Sequence, residues 1–264
     1  MSDWRLDLPG KQSPMPLYYQ LAEAIEHQIS AGLLQPGDRL PSERDLAQQA
    51  GISRMTARQA LTYLAERGAI EIRHGVGTFI AHPKLTSDPL HLLGFTEQMM
   101  ATGGVVTSQV LAQEVIPAPP PVARALRLQA ASPVARIQRL RSLNDTPMLL
   151  ETSFFPRQLC PGIEHVDLSH RSLYATLEID YGVRLTHAQQ TVEAIAANAA
   201  ESRLFGLERG APMLLLEGVA STATNDPGEY FKAVYRGDRF KFELRANQPA
   251  TTEEPGLPIN LVMT

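Results

Sequence analysis

The segment LQPGDRLPSERDLAQQAGISRMTARQALTYLAERGAIEIRHGVGTFI, residues 34–80, decides the fold of the first third of the chain. Pro36-Gly37 predicts a turn. Ser42, with Asp45 three residues later, resembles a capping box and predicts the start of a short helix that ends near Gly51. The segment therefore opens with a turn and a capped helix.

A helix predicted over residues 16–31 precedes this segment, and a further helix and a hairpin complete it. Ser53 can cap the further helix, which runs to about Arg67. Two short strands at 69–73 and 78–81 follow, and a loop with two glycines joins them. The order helix, helix, turn, helix and hairpin is that of a winged helix-turn-helix.

The third predicted helix carries the residues expected to read DNA. Base readout in the major groove requires long hydrogen-bond donors on an exposed face near a helix N-terminus. Arg54 and Arg58 lie four residues apart and share the outer face of this helix. Two arginines can also form a merely solvated face, but the full order of elements disfavours that alternative. The predicted DNA contacts are Arg44, Ser53, Arg54, Thr56, Arg58, His74, Gly75 and Gly77.

The rest of the chain predicts a second, larger domain. We place the DNA-binding domain at residues 14–82, a polar linker at 83–91, the second domain at 92–247 and a tail rich in Pro, Thr and Glu at 248–264. Strands joined by hairpins and interleaved with helices favour an α+β fold with an antiparallel sheet. The predicted strands are 105–116, 134–143, 148–155, 212–222 and 229–236, and the predicted helices are 96–101, 122–128, 172–181 and 198–205.

Two arginines on one predicted strand mark a candidate site in the second domain. Arg139 and Arg141 are two residues apart, so both side chains leave the same face of the strand. Two cations in that position repel each other unless something anionic lies between them. The anion can be a bound ligand or an acid of the chain such as Asp145 or Glu151, and the residues alone leave both possibilities open.

Two predicted helix starts support the ligand interpretation. Thr96 and Ser172 are each placed as N-caps, and the first turn of a helix presents free N–H groups to anions. Together with the two arginines they predict a clamp for a phosphate or a carboxylate.

The N-terminal third resembles the DNA-binding domain of the GntR superfamily of transcription regulators. The strings PGDRLPSER, GISRMTARQAL and GVGTF carry this resemblance in their order and spacing. Met55 stands where some relatives carry threonine, so no contact is carried over to that side chain. The operator contacts that the resemblance implies are Arg44, Arg54, Thr56, Arg58 and the wing glycines Gly75 and Gly77.

Residues 91–245 resemble the UTRA domain of the HutC branch of that superfamily. The segments 135–156, 172–185, 201–220 and 229–243 carry the resemblance together. It implies a chorismate-lyase-like antiparallel sheet with flanking helices. Tyr230 and Phe231 replace other residue types, so the identity of the ligand does not carry over. The implied ligand contacts are Phe95, Thr96, Arg139, Arg141, Ser172 and Tyr174 around the anion, and Glu151, Glu229 and Tyr235 around the rest of the molecule.

Composition and charge limit the partners, the covalent links and the cellular location that we expect for the protein. The chain has 264 residues and a formal net charge of −4, so DNA binding must depend on where basic residues are placed. The single cysteine, Cys160, excludes an intramolecular disulfide and a cysteine metal cluster. The N-terminus lacks the apolar stretch of a signal peptide, and no apolar run approaches the ~18–20 residues of a membrane span. We therefore expect a cytoplasmic protein without membrane contact.

These observations predict a ligand-responsive, DNA-binding transcription repressor whose operator affinity is changed by a small anionic metabolite, for example a sugar phosphate. Since one recognition helix reads only a few base pairs, we expect a homodimer on a two-fold symmetric, double-stranded operator. An enzyme that uses a lyase-like C-terminal domain and a DNA binder without an effector are the alternatives. We expect neither enzymatic activity nor a cofactor.

Overall fold

The computed structural model describes residues 13–73, 75–87, 95–100 and 103–244. The chain divides into two compact units, Met1–Lys84 (unit 1) and Leu85–Thr264 (unit 2), and each is described by itself. His74 and the predicted tail at 248–264 lie outside the described residues.

Unit 1 is a winged helix-turn-helix, as the sequence predicts. Ser42 and Ser53 are N-caps: the hydroxyl oxygen of Ser42 accepts the N–H of Asp45, and that of Ser53 accepts the N–H of Thr56. Gly51, at φ +64°, ends the second helix in the left-handed conformation that glycine favours. The elements are α1 (Leu17–Ser30), α2 (Glu43–Ala50), α3 (Arg54–Glu66), β1 (Ile70–Arg73) and β2 (Gly77–Ile80).

The core of unit 1 lies between the three helices and the hairpin. Leu21, Ile25, Leu46 and Leu64 are fully buried in it. Burial of each such side chain stabilises the fold by about 1.5–3 kcal/mol. On α3, the buried residues recur at helical spacing, which leaves the opposite face of that helix to solvent.

A short backbone segment before α2 joins the wing. The N–H of Leu40 donates to the carbonyl of Thr78 at 2.8 Å, and the N–H of Ile80 donates to the carbonyl of Asp38 at 2.8 Å. The segment therefore extends the two-stranded wing with a third extended stretch, which the turn signal at Pro36-Gly37 did not indicate.

Unit 2 is built on a six-stranded antiparallel sheet formed by β4 (Val106–Pro117), β5 (Pro133–Leu143), β6 (Thr146–Pro156), β7 (Leu185–Ala196), β8 (Pro212–Thr222) and β9 (Pro227–Arg236). The strand order is β4-β5-β6-β9-β8-β7. The prediction of an antiparallel sheet is confirmed. The β5–β6 hairpin turns at Asn144 and Asp145, whose φ angles of +47° and +61° match a type I′ turn.

Among the described residues, four α-helices and a second, small sheet accompany the large one. The small sheet pairs β3 (Leu85–Ser87) in parallel with β10 (Phe240–Phe242). The predicted linker at 83–91 is therefore wrong at residues 85–87, which form a strand because a partner strand distant in sequence satisfies their backbone. Residues 88–91 lie outside the described part of the chain. The helices are α4 (Phe95–Met100), α5 (Pro120–Ala125), α6 (Leu173–Tyr181) and α7 (Ala199–Phe205).

The predicted N-cap role of Thr96 is wrong. Helix α4 already includes Phe95, so Thr96 lies inside its first turn. The hydroxyl oxygen of Thr96 accepts a hydrogen bond from Arg141 instead of capping the helix. Ser172, in contrast, is an N-cap, because its hydroxyl oxygen accepts the N–H of Ala175 at 3.2 Å.

Candidate functional site

The outer face of α3 presents the candidate DNA-reading surface of unit 1. Arg54 and Arg58 are both exposed on it, and Met55 is 69% exposed between them. In the part of the chain that the structure describes, Arg54 makes no ion pair and no side-chain hydrogen bond. An open groove of about 560 Å³ runs along this face and is lined by Tyr18, Met55, Thr56, Arg58, Gln59, Thr62, Tyr63 and Glu66.

Arg58 differs from Arg54 because it is already paired inside the domain. Its Nε donates to Oε1 of Glu43 at 3.0 Å and its Nη2 donates to Oε2 at 3.2 Å. This bidentate fork links α3 to the start of α2. Arg58 must exchange the Glu43 carboxylate for a base or phosphate in order to contact DNA, and the sequence did not indicate this pair.

Three further predicted DNA contacts, Ser53, Thr56 and Arg44, already interact with neighbouring side chains at the helix starts. The hydroxyls of Ser53 and Thr56 lie 2.8 Å apart and hydrogen bond to each other. Arg44, at the start of α2, is exposed, and its Nε lies 3.5 Å from Oδ1 of Asp45. These three residues all lie at the N-terminal ends of α2 and α3.

The wing glycines have distinct conformational roles. A Cβ added to Gly75 would meet nothing within 4 Å, so only its φ of +74° favours glycine there. A Cβ on Gly77, whose φ is +146°, would lie 2.8 Å from Nε of Arg39. The Nη2 of Arg39 donates to the carbonyl of Val76 at 2.8 Å, so Gly77 makes room for the side chain that braces the wing.

The sheet register of unit 2 collects the predicted ligand residues on one face. Arg139 pairs with Glu151, and Glu151 pairs in turn with Ala233. Directly opposed residues of antiparallel strands point to the same side of a sheet, and every second residue does so along a strand. The same face of β5, β6 and β9 therefore holds Arg139, Arg141, Glu151, Ser153, Glu229 and Tyr235.

The two arginines converge on the carboxylate of Glu151. Nε of Arg139 donates to Oε1 of Glu151 at 2.6 Å, and Nη1 of Arg141 donates to the same oxygen at 3.3 Å. Arg139 is 1% exposed and Arg141 is 2% exposed. The arginines hold the pKa of Glu151 below its usual value although burial opposes this. Of the two possibilities left open by the sequence, the structure thus shows an acid of the chain between the arginines.

Arg139 also anchors the chain that leads into α6. Its Nη1 donates to the carbonyls of Leu168 at 3.3 Å and Arg171 at 3.1 Å. Ser172 follows directly and caps α6. The bond from Arg139 to the Arg171 carbonyl therefore holds Ser172 near the arginine pair. The hydroxyl oxygen of Ser172 itself caps α6.

Arg141 contacts α4 and keeps one donor unused. Its Nη2 donates to the hydroxyl of Thr96, and its guanidinium carbon lies 5.3 Å from the ring centroid of Phe95. Within the described residues, Nε of Arg141 is buried and has no hydrogen-bond partner. Oε2 of Glu97, also on α4, is a buried acceptor without a partner in the same part of the structure. Buried unpaired polar atoms are rare in native proteins and point to a group that would satisfy them.

A second buried carboxyl lies on the same face. Glu229 is 2% exposed, and the hydroxyl of Tyr174 on α6 donates to its Oε2 at 2.7 Å. Burial raises the pKa of Glu229 to about 7, against the lowering effect of its neighbours Ser153 and Tyr174. Sequence reasoning missed Ser153, although its position two residues after Glu151 on a predicted strand places it on the same face.

Tyr235 completes the cluster from β9. Its ring packs edge-on against Phe240 at a centroid distance of 5.0 Å and against Phe242 at 5.3 Å. Burial raises the pKa of the Tyr235 hydroxyl, with a further increase from the charge of Glu151. All nine predicted ligand residues therefore belong to one region formed by the sheet face, α4 and α6.

We expect Glu229 to make the stability of the protein depend on pH. A carboxyl whose folded-state pKa is about 7, against an ordinary value of 4.5, binds its proton more tightly in the folded state than in the unfolded state. The free energy of unfolding should therefore fall by about 3 kcal/mol as pH rises from about 4.5 to above 7. Urea unfolding between pH 5 and pH 8 measures this, and Glu229→Gln should remove that part of the slope. Identical pH profiles for wild type and variant would contradict the assignment.

Comparisons with known proteins match both units. The family model described as bacterial regulatory proteins, gntR family, matches residues 17–80, and the UTRA domain model matches residues 101–241. Among the helices of the described residues, none has the length and hydropathy of a transmembrane span.

Individual relatives match along most of the chain. The chain is 37% identical over 233 residues to the HTH-type transcriptional repressor NagR of Bacillus subtilis (strain 168). The aligned region covers 88% of this chain and 96% of that relative. It is 34% identical over 203 residues to the histidine utilization repressor of Pseudomonas aeruginosa, and the aligned region covers 77% of this chain and 80% of that relative. The crystal structure of PhnF from Mycobacterium smegmatis superposes with a TM-score of 0.62 and 28% identity, covering 89% of this chain and 100% of that one.

Proposed function

Because the chain belongs to the gntR family of bacterial regulatory proteins and carries the UTRA domain of its HutC branch, we propose that it is a transcription repressor released from its operator by a small anionic effector. Unit 1 binds the operator through α3 and the wing, and unit 2 binds the effector. The DNA contacts in this proposal are the ones predicted from the sequence, with Arg54 as the principal base reader.

The observation that carries the effector proposal is the pair of buried arginines on one sheet face. Arg139 and Arg141 bring two positive charges that only the Glu151 carboxylate balances directly among the described residues. Glu229 is about half ionised near pH 7, because burial raises its pKa to about 7. Buried cations favour an anionic partner, and the unpaired Nε of Arg141 is a donor that such a partner could use.

The rest of the cluster supports an anion that also carries hydroxyl groups. Tyr174, Glu229 and Tyr235 supply hydroxyl and carboxyl groups beside the arginines. Such groups hydrogen bond well to alcohols, and a site built to pair with hydroxyls rejects analogues that lack them. A sugar phosphate meets both requirements, and a hydroxylated carboxylate is the second class to test.

Helix α4 offers a route from the effector to the DNA-binding unit. Arg141 contacts Thr96 and Phe95 of α4, so replacing or moving the partners of Arg141 changes how this helix is held. The chain before α4 leads back to unit 1. Half-sites are fixed by DNA geometry, so a shift of a few ångströms between two recognition helices should cost binding. The expected coupling is about 1–3 kcal/mol.

Operator recognition in this proposal requires two copies of the chain. A symmetric dimer doubles the base pairs that are read and matches a two-fold symmetric operator. We therefore propose that the protein acts as a homodimer on double-stranded DNA.

The direct test is a titration of operator-bound protein with hexose phosphates, inorganic phosphate and small hydroxycarboxylates. We expect one class of anion to weaken operator affinity by about 5- to 150-fold. The effect must be reciprocal, so operator DNA should weaken binding of that anion by the same factor. Fluorescence anisotropy of labelled operator and calorimetry of the effector measure the two sides. If no anion in the panel shifted operator affinity, a DNA binder without an effector would be favoured.

A further inference from the structure

Met55 lies at the centre of the exposed face of α3. A helix turns by about 100° per residue, so Met55 is on the side opposite the buried Ala57 and Leu64. Gln59, one turn later, is exposed on the same side. Met55 is 69% exposed, and within the described part of the chain it is not among the residues that pack against the core of unit 1. Its side chain is therefore available to a partner of the protein.

The position of Met55 along α3 places it at the end of the helix that reads DNA in helix-turn-helix proteins. α3 begins at Arg54, so Met55 is its second residue. The N-terminal residues of a recognition helix contact base edges in the major groove. Arg54 precedes Met55 with an exposed guanidinium group, and Thr56 follows with a hydroxyl that hydrogen bonds to Ser53. Between these polar residues stands a side chain that carries no hydrogen-bond donor.

The open groove along α3 presents an uncharged surface around Met55. Met55 lines this groove together with Gln59 and Thr62, and none of these three side chains is charged. Arg58 is the one basic residue in the lining, and it is already paired with Glu43. Phosphates are bound mainly by basic and hydrogen-bonding groups, whereas base edges are read by hydrogen bonds and apolar contacts. The centre of this face therefore fits the edges of bases better than it fits the phosphate backbone.

The chemistry of methionine selects one feature of the major groove. The side chain is flexible and apolar, and its thioether is only a weak acceptor, so it cannot donate to a phosphate, to purine N7 or to guanine O6. The 5-methyl group of thymine is the apolar group that base edges present in the major groove. Contact between this methyl group and Met55 removes both from water, which is favourable in proportion to the apolar area that is buried.

We propose that Met55 is a specificity-determining residue that contacts the 5-methyl group of a thymine beside the base read by Arg54 in each operator half-site. This inference rests on the DNA binding of the proposed function and adds a base contact that was not assigned there. Arg54 has the donors to pair with guanine O6 and N7. Each half-site should therefore contain a guanine and, at a neighbouring base pair, a thymine.

Deoxyuridine tests this contact, because it differs from thymidine only in lacking the 5-methyl group. The operator is first selected from random duplexes with the full-length wild-type protein, and each thymine of the half-sites is then replaced in turn. At one position the replacement should weaken binding about 4-fold in one half-site and about 15-fold in both, as the loss of one buried methyl group does. Fluorescence anisotropy at one fixed salt concentration measures the change.

Two variants of Met55 assign the methyl effect to this side chain. Met55→Ala removes the apolar contact, and Met55→Gln keeps an unbranched side chain of similar length but replaces the thioether with an amide. Both should bind the selected operator more weakly than wild type and lose nothing further when deoxyuridine replaces the thymine. Leu33→Ala is the matched control, because Leu33 is also 69% exposed but lies outside α3, and it should respond to deoxyuridine as wild type does. Circular dichroism and unchanged binding to a scrambled duplex at low salt check that each variant is folded.

The outcomes separate this contact from the proposed DNA binding as a whole. A methyl effect at one base pair that disappears in both Met55 variants and persists in Leu33→Ala supports the inference. A methyl effect that persists in Met55→Ala belongs to another side chain, and a wild-type protein without any methyl effect makes no such contact. Either result, with operator binding still weakened by Arg54→Ala, would overturn this inference alone. If the protein selected no duplex from the random pool, the DNA binding of the proposed function would fail and this inference with it.

Discussion

Arg54→Ala is expected to weaken specific operator binding by about 2–6 kcal/mol, since each of two half-sites loses about 1–3 kcal/mol. Arg54 lies at the first position of α3, is exposed, and makes no ion pair with any described residue. The substitution therefore removes a donor that is available to DNA without breaking a contact inside the domain. Anisotropy with the operator and with a scrambled duplex, at one fixed salt concentration, measures the change.

Two neighbouring arginines supply the comparison for this result. Arg58→Ala should cost less than Arg54→Ala, because Arg58 gives up its fork with Glu43 in order to reach DNA. Arg44→Ala should weaken binding to the operator and to the scrambled duplex alike and reduce the salt dependence, as a phosphate contact does. An unchanged operator affinity for Arg54→Ala would show that α3 is not the recognition helix.

Local signals in the sequence determine most of unit 1. The capping hydroxyls of Ser42 and Ser53 act within three residues of their own position, so the starts of α2 and α3 can be predicted from short segments. The fork between Arg58 and Glu43 cannot be predicted in this way. It joins side chains fifteen residues apart on two helices, and its geometry depends on how those helices pack.

Strand β7 shows where periodicity fails in unit 2. Period-2 alternation of apolar and polar residues arises when one face of a strand is buried. Both faces of β7 are largely exposed, so its residues carry no such alternation and no strand was predicted there. The missing signal therefore has a physical origin, since a strand with no buried face among the described residues needs no alternation.

The arginine pair shows what a strand pattern can and cannot determine. The spacing of Arg139 and Arg141 predicts that they share a face, and the register confirms it. Which anion lies between them depends on the neighbouring strand, where Glu151 is directly opposite Arg139. The sequence named Glu151 among several acids, and only strand pairing selects it.

The second large effect is expected from Arg139→Ala, which should lower the free energy of unfolding by about 3–5 kcal/mol. Removing Arg139 leaves the buried Glu151 carboxylate with one poorly placed cation and leaves the carbonyls of Leu168 and Arg171 without their donor. Arg141→Ala should cost less stability, because Arg141 contacts Glu151 at a longer distance and holds no main-chain carbonyl of that segment. Urea unfolding at pH 7 measures both variants.

The two variants should differ in function as well as in stability. Arg141→Ala should remain folded and bind operator as wild type does, yet lose release by the anionic effector, because it removes the unpaired buried Nε and the contact with α4. Arg136→Ala is the matched control: Arg136 lies on the same strand, points to the opposite face and pairs with the exposed Glu114 at 3.3 Å, so effector release should be unchanged. If an effector released Arg141→Ala from the operator at the same concentration as wild type, the effector would bind elsewhere, and the buried pair would serve only to hold unit 2 together.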